Sequence, residues 1–350
     1  MKVIKKIIKY ISLILLLLII GSSIYLYQSG PILPENTDAI IEEVIAKPLP
    51  ALVKGQTGIV NANGTNIWYE SIVPTKTSKG AVLLIMGISN DALGWPKKFI
   101  QSFVDSGYQV IRYDHRGTGL SDWMDNFDKS DPYTLADMAF DGVAVLNELH
   151  IDKSHIIGVS MGGMIAQELA IKHPDKVLSL TSIMSSGNIF DKDLPPISST
   201  VAYDLIKVAI KYSLIPSQKN KVKLHLASRI ILTGEGTQSL NLKEIAEQVL
   251  YNHQKRKGYN RQVSEQHQAA VFTSGSRYEQ LKVLEIPSLI IHGKKDPFIP
   301  IAHGKKCAQL IPNADSLWMD NMGHDIPNEF IPLLSKKIVG NFNRLFEKGN

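Results

Sequence analysis

Continuous apolar runs and segments with apolar positions at helical spacing follow one another along the chain, which predicts alternating strands and helices. Continuous apolar runs such as AVLLIM at 81–86 are typical of strands buried on both faces, whereas residues 133–149 carry apolar positions at helical spacing. The predicted strands are residues 65–73, 81–86, 109–113, 155–159, 178–184, 288–292 and 316–319. The predicted helices of the same region are residues 96–105, 133–149, 161–172 and 331–347. This order predicts an α/β fold with a mostly parallel sheet and helices on both faces.

The long stretch between the strands that end at 184 and begin at 288 has a different pattern. It contains helix-like segments at 201–212, 242–254 and 263–273, but no convincing strand. Ligands bind at the carboxyl ends of the strands in open α/β sheets, so a helical insertion is expected to cover that edge. We therefore predict a helical cap at 186–285, inserted into a core formed by residues 56–185 and 286–350.

The first 27 residues differ in character from the rest of the chain. Lysines at positions 2, 5, 6 and 9 precede an apolar run from 10 to 20, which resumes at 24 after GSS, and no acidic residue occurs before residue 28. This pattern predicts a membrane-spanning signal anchor, or a signal peptide cleaved near 21–23. The lysines should stay in the cytoplasm, which places the body outside it: membrane-anchored, or secreted or periplasmic after cleavage. Residues 28–55 contain four prolines and are predicted to be a linker with a short helix at 39–46.

Charge and cysteine content exclude several classes of function. Taking the four N-terminal lysines from the 38 basic residues leaves the body nearly balanced against its 33 acidic residues, so nucleic acid is not an expected partner. Cys307 is the only cysteine, which excludes an internal disulfide and a thiolate metal site. No H-E-x-x-H motif or acidic ligand cluster occurs, so no metal is expected.

The glycine-rich segment DHRGTGLS at 114–121 resembles a phosphate-binding loop only superficially. It lacks both the G-K-S/T ending and the G-x-G-x-x-G spacing of such loops. We interpret it as structural support, in which Asp114 and Arg116 brace neighbouring loops. The basic run at 255–257 is interpreted as a solvated face of the cap.

The strongest chemical motif is GVSMG at 158–162, which matches the pattern G-x-S-x-G. It lies between the predicted strand HIIGV and a predicted helix, the context in which this pattern forms a sharp turn that exposes its serine. Gly158 and Gly162 are expected to leave room for the crossing backbone. We therefore predict Ser160 as a nucleophile, in a strained conformation at the top of the sheet.

A serine hydroxyl needs a neighbouring base, and the base needs an orienting acid. On a fold of this kind the chain order is Ser, acid, His. Asp296 and His324 lie in the loops after the last two predicted strands, at the same sheet edge as Ser160. Of the rival histidines, His292 ends a strand and is expected to be structural, whereas His115 precedes Ser160. The predicted catalytic residues are therefore Ser160, Asp296 and His324.

Acyl transfer also requires donors directed at the developing oxyanion. The backbone N–H of Met161, directly after the nucleophile, is one expected donor. The loop after AVLLIM should supply the other, and we choose the N–H of Ile88, with Gly87 as the second choice.

At this point several segments resemble a known group of enzymes. LLIMGISNDALGWP, VIRYDHRGTGLSD, HIIGVSMGGMIAQELAIKHPDKV, IPSLIIHGKKDPFIPIAHG and MGHDIP resemble α/β-hydrolases, and among them serine carboxylesterases of the aclacinomycin methylesterase-like group. The resemblance runs from about residue 55 to 345 and is weakest at 190–280. It implies the α/β-hydrolase fold and hydrolysis of a small-molecule carboxylic ester through an acyl-enzyme, without a cofactor. The membrane segment at 1–27 departs from this soluble type.

Three other functions stay open on the sequence alone. An acyltransferase or a cofactor-free perhydrolase would use the same three residues and differ in the acceptor of the acyl group. A non-catalytic binding module could also be built on the same fold, because fold does not determine function.

Overall fold

The computed structural model describes residues 2–28, 30–234 and 240–347. The chain begins with α1 (Lys2–Gln28), which continues through Gly21 without interruption, and α2 (Thr37–Ile45) lies in the predicted linker. Among these described residues, no helix combines the length and apolarity needed to cross a membrane. The structure therefore does not support the predicted membrane-spanning segment at 1–27.

The centre of the molecule is one twisted sheet with the strand order β1-β2-β4-β3-β5-β6-β7-β8. The pairs β1–β2 and β2–β4 are antiparallel, and all the other pairs are parallel. The strands are β1 (Gln56–Ala62), β2 (Thr65–Ile72), β3 (Ala81–Ile85), β4 (Gln109–Tyr113), β5 (Ser154–Val159), β6 (Val177–Ile183), β7 (Ser288–Gly293) and β8 (Asp315–Met319). All of them except β1 were predicted, and the mostly parallel α/β arrangement is confirmed.

Helices cover both faces of this sheet. Successive residues of β3 point to opposite faces: Leu83 and Ile85 pack with the first layer of helices, and Val82 and Leu84 with the second. The second layer consists of α3 (Lys97–Asp105) and the C-terminal α12 (Ile331–Glu347), and the first of α4 (Leu135–Glu148), α5 (Met161–Lys172) and α11 (Ile301–Leu310). Burial on both faces explains why the central strands are continuous apolar runs.

The region between β6 and β7 is helical, as the sequence predicts. It contains α6 (Ser199–Ser213), α7 (Gln218–Thr233), α8 (Leu242–Lys255), α9 (Val263–Ser274) and α10 (Tyr278–Leu281), and no strand over 184–234 and 240–287. Ile41 and Val44 of α2 are buried against Val222 of α7 and Val249 of α8. The segment predicted as a linker therefore contributes a helix to the packing of the cap.

Candidate active site

Ser160 lies on the turn between β5 and α5, in a conformation that its neighbours enforce. Its φ of 55° and ψ of −123° are rare for a residue with a side chain, and such strain is often found at functional sites. A Cβ on Gly158 would lie 2.0 Å from the carbonyl oxygen of Gly162, and a Cβ on Gly162 would lie 2.1 Å from that of Ile85. Only glycine fits at both positions, so the crossing backbones hold the turn closed.

His324 and Asp296 lie beside this serine. The Nε2 atom of His324 is 2.9 Å from Oγ of Ser160, and its Nδ1 atom is 2.7 Å from Oδ2 of Asp296. Ser160 retains 8% of its surface exposed and His324 9%, so the arrangement is nearly closed to water. The structure thus brings the three predicted residues together into one hydrogen-bonded chain that ends on a serine hydroxyl.

Asp296 is held in place by more than His324. Its Oδ1 accepts hydrogen bonds from the backbone N–H groups of Phe298 and Ile299, each at 2.9 Å. Burial alone would raise the pKa of this carboxyl, but its interactions with His324 and His292 outweigh burial and leave the pKa well below its usual range. Asp296 is therefore an anion at neutral pH and accepts a hydrogen bond from the Nδ1–H of His324.

His292 has a closer relation to this group than its position in the chain indicated. Its Nε2 atom donates to the carbonyl oxygen of Ile299 at 2.9 Å and lies 3.3 Å from Oδ2 of Asp296. The structural role predicted for His292 therefore includes a direct contact with Asp296. The sequence signal for this contact was spacing, because His292 lies near the end of β7 and four residues before Asp296.

The loop after β3 passes over the start of α5. A Cβ on Gly87 would contact Val159 and Ser160, the nearest atoms being at 3.4 Å, so the backbone here runs directly beside the serine. Ile88 follows in this loop, and Met161 is the first residue of α5. The two predicted oxyanion donors thus belong to the two segments that flank Ser160.

The cap also contacts the loop that carries His324. The backbone N–H of His324 donates to the carbonyl oxygen of Leu232 at 2.8 Å, and Arg229 pairs with Asp325 at 3.1 Å. Both Leu232 and Arg229 belong to α7. The position of His324 therefore depends on a cap helix as well as on the core.

A buried ionic cluster joins the cap to the polar turn after β4. Arg256, directly after α8, pairs with Asp114 and with Asp91, and its guanidinium lies 4.5 Å from the ring centroid of Trp68. The prediction of a solvated basic face is therefore wrong for Arg256, whose side chain is 2% exposed. The bracing role of Asp114 is confirmed, because it also accepts from the N–H groups of Ala92 and Leu120.

Arg116 braces a second element. Its guanidinium makes two hydrogen bonds to the carboxylate of Asp141 in α4, at 2.6 and 2.8 Å, and lies over the ring of Tyr133. Burial raises the pKa of Asp141 to about 6, against the opposing effect of Arg116. The segment at 114–121 is thus structural, as its composition indicates.

No group of three or more His, Cys, Asp or Glu side chains within the described residues could hold a metal ion.

Burial raises the pKa of Cys307 to about 11, so this thiol is not a thiolate at neutral pH. A surface hollow of about 540 Å³ is lined by residues of the β1–β2 turn and of 122–126, away from Ser160.

Comparison with known proteins gives concordant results. A model of the α/β-hydrolase fold family matches residues 80–329. Rhodomycin D methylesterase DnrP of Streptomyces peucetius is 27% identical over 286 residues, which cover 77% of this chain and 93% of that protein. An uncharacterized hydrolase, YugF of Bacillus subtilis, is 24% identical over 284 residues, covering 79% of this chain and 94% of its own length.

Solved structures show the same architecture. An esterase from Exiguobacterium antarcticum superposes with a TM-score of 0.65 at 18% identity, covering 83% of this chain and 100% of its own. A membrane phospholipase A described as a bacterial virulence factor gives 0.61 at 20% identity and covers 95% of this chain and 98% of its own. At these identities the likeness shows the fold alone. Since the family model matches well over half of its residues, the chain belongs to the α/β-hydrolase family.

Proposed function

We propose that the protein is a serine esterase that cleaves a carboxylic ester through an acyl-enzyme at Ser160. The observation that carries this proposal is the hydrogen-bonded chain from Asp296 through His324 to the Ser160 hydroxyl, with distances of 2.7 and 2.9 Å. The relative DnrP supports the reaction class, because its name, rhodomycin D methylesterase, describes cleavage of a methyl ester.

The reaction follows from the proton positions that this geometry allows. Asp296 fixes the tautomer of His324 with the proton on Nδ1, which leaves Nε2 free to take the Ser160 proton during attack on the ester carbonyl. The N–H groups of Met161 and Ile88 would stabilise the oxyanion of the tetrahedral intermediate. His324 then protonates the leaving alcohol and activates the water that releases the acid.

The direct test is the rate of ester hydrolysis by Ser160→Ala. Removal of the nucleophile should lower kcat for short p-nitrophenyl esters by several orders of magnitude, about 10⁴-fold or more, without changing the fold. A variant that hydrolyses these esters as fast as the wild type would contradict the proposal. A panel of esters that vary in acyl length and alcohol size then defines the substrate.

We also propose that residues 1–27 attach the enzyme to a membrane, with its body outside the cytoplasm. Lys5, Lys6 and Lys9 precede a helix surface on which the described large apolar side chains are 45–64% exposed, an arrangement that water disfavours. Lys207 of α6 lies 6.0 Å from the ring of Tyr25, so this helix ends against the cap.

Fractionation of expressing cells tests this attachment. The full chain should pellet with membranes, resist a carbonate wash and be digested by protease added to intact spheroplasts. N-terminal sequencing distinguishes an uncleaved anchor from a peptide removed near 21–23. Recovery of the intact chain in the cytoplasmic supernatant would contradict the proposal.

A further inference from the structure

The loop that carries the proposed oxyanion donor Ile88 is held by two buried imidazoles. His115 donates from Nε2 to the carbonyl oxygen of Met86 at 2.8 Å, and His267 accepts at Nδ1 from the backbone N–H of Ser89 at 3.1 Å. The two rings meet edge to face, with centroids 5.6 Å apart. Both side chains are fully buried, and His267 reaches this loop from cap helix α9.

The partners of His267 define its chemical state. A backbone N–H can only donate and a carbonyl oxygen can only accept, so the Ser89 N–H requires an unprotonated Nδ1. The carbonyl oxygen of Arg116, 2.9 Å from Nε2, requires a proton there. Burial lowers the pKa of His267 to about 3, which agrees with a neutral ring. His267 therefore presents a fixed acceptor to Ser89.

This contact pins one peptide unit from both sides. The peptide between Ile88 and Ser89 donates its N–H to His267, and its carbonyl oxygen accepts from Nδ2 of Asn90 at 3.1 Å. Ser89 has a φ of 63°, in the left-handed region that a serine rarely adopts, so the conformation needs such support. The adjoining peptide, which bears the N–H of Ile88, is tied to the same turn, because its carbonyl oxygen on Gly87 accepts from the backbone N–H of Asn90 at 3.4 Å.

We propose that His267 is a positioning residue that holds the oxyanion loop in its catalytic conformation through the Ser89 N–H. The inference rests on the proposed esterase function and goes beyond it, because it makes oxyanion stabilisation depend on the placement of a cap helix. His267 itself does not contact the reacting atoms, since Ser89 lies between.

Two substitutions separate the two hydrogen bonds of His267. In His267→Asn, the amide oxygen stands near the position of Nδ1 and can accept from Ser89, while Arg116 loses its donor. In His267→Gln, the amide nitrogen stands near the position of Nε2 and can donate to Arg116, while Ser89 loses its acceptor. Each variant leaves one buried backbone group unpaired, so their losses of stability should be similar.

The expected result is a difference in kcat. Removing an oxyanion donor lowers kcat by about 10²- to 10³-fold, so misplacing one should lower kcat of His267→Gln by about 10- to 100-fold with little change in KM. His267→Asn should stay within a few-fold of the wild type. A trifluoromethyl ketone, which forms an oxyanion with the serine, should lose affinity for His267→Gln by the same factor as kcat/KM.

The possible outcomes are distinguishable. Equal kcat values for the two variants at similar stability, or a lower kcat for His267→Asn, would overturn this inference while leaving wild-type esterase activity intact. A wild-type enzyme without esterase activity would instead refute the proposed function. If neither histidine variant folds, Asn90→Ala replaces them as the test, because Asn90 is exposed and its Nδ2 holds the same peptide through the Ile88 carbonyl oxygen. The kcat of this variant should fall several-fold. An unchanged kcat would overturn the inference.

Discussion

Arg256 offers a sharp test of how the cap is attached to the core. Its side chain and those of Asp91 and Asp114 are at most 2% exposed, so Arg256→Ala leaves two buried carboxyls without their cation. Breaking a buried ion pair on one side destabilises a protein by about 3–5 kcal/mol. The control is Arg229→Ala, which removes a cap arginine from a pair with Asp325 whose side chains are 27% and 14% exposed. Its loss should cost less stability than that of Arg256, because both members of this pair keep contact with water.

The pH dependence of this difference provides a second readout. Burial, opposed by Arg256, raises the pKa of Asp114 to about 6 from its ordinary value of 3.8, which applies to the unfolded chain. A carboxyl whose pKa is raised on folding destabilises the folded state as pH rises through that range, and the full cost is present above the folded pKa. Loss of Arg256 raises the folded pKa further. The variant should therefore lose more stability at pH 8 than at pH 5, where Asp114 is mostly protonated in both proteins.

Urea denaturation followed by tryptophan fluorescence measures both effects. Each protein is titrated at pH 5 and pH 8, and the free energies of unfolding are compared pairwise. If Arg256→Ala matched Arg229→Ala, or lost the same stability at the two pH values, the assignment of a buried cluster to this junction would be refuted.

Two further substitutions test the site itself. Asp296→Asn should lower kcat by about 10⁴-fold with KM nearly unchanged, because an amide neither fixes the productive tautomer of His324 nor stabilises its cation. A loss of kcat under about tenfold in steady-state kinetics would contradict this role of Asp296. Gly162→Ala should lower kcat/KM at least about 10²-fold, because its Cβ would lie 2.1 Å from the carbonyl oxygen of Ile85. The control is Gly340→Ala in α12, where an added Cβ meets nothing within 4 Å. This control should keep full activity and gain about 0.5–1 kcal/mol of helix stability. An active Gly162→Ala would contradict the close approach of α5 to the end of β3.

Much of the fold could be predicted because its signals are local. Buried parallel strands are continuous apolar runs, and the predicted strands from 81–86 onward agree with β3–β8 to within a residue or so. β1 was missed because it is an edge strand with mostly exposed residues, yet Asn63-Gly64 gives the signal of a tight hairpin, and both residues have positive φ. α7 was missed because its sequence, QKNKVKLHLASRIILT, mixes charged and apolar residues without a clear stripe.

The three residues of the site could be placed because each follows a strand of the same sheet edge, and chain order then assigns their roles. Their supporting residues could not be predicted in this way. His267 and Leu232 reach the site from cap helices, and Arg256, directly after α8, ties the cap to the core. Each of these contacts joins positions more than ninety residues apart in the chain. Such pairings depend on how the cap packs, which no local pattern encodes.

We propose Ser160 as a nucleophile activated by His324 and Asp296. Labelling of the full chain with a fluorophosphonate, followed by mass spectrometry of the digested protein, tests this role directly. One phosphonylated residue, Ser160, is expected, with no labelling of Ser160→Ala at the same exposure. Labelling at another serine, or equal labelling of the two proteins, would contradict it.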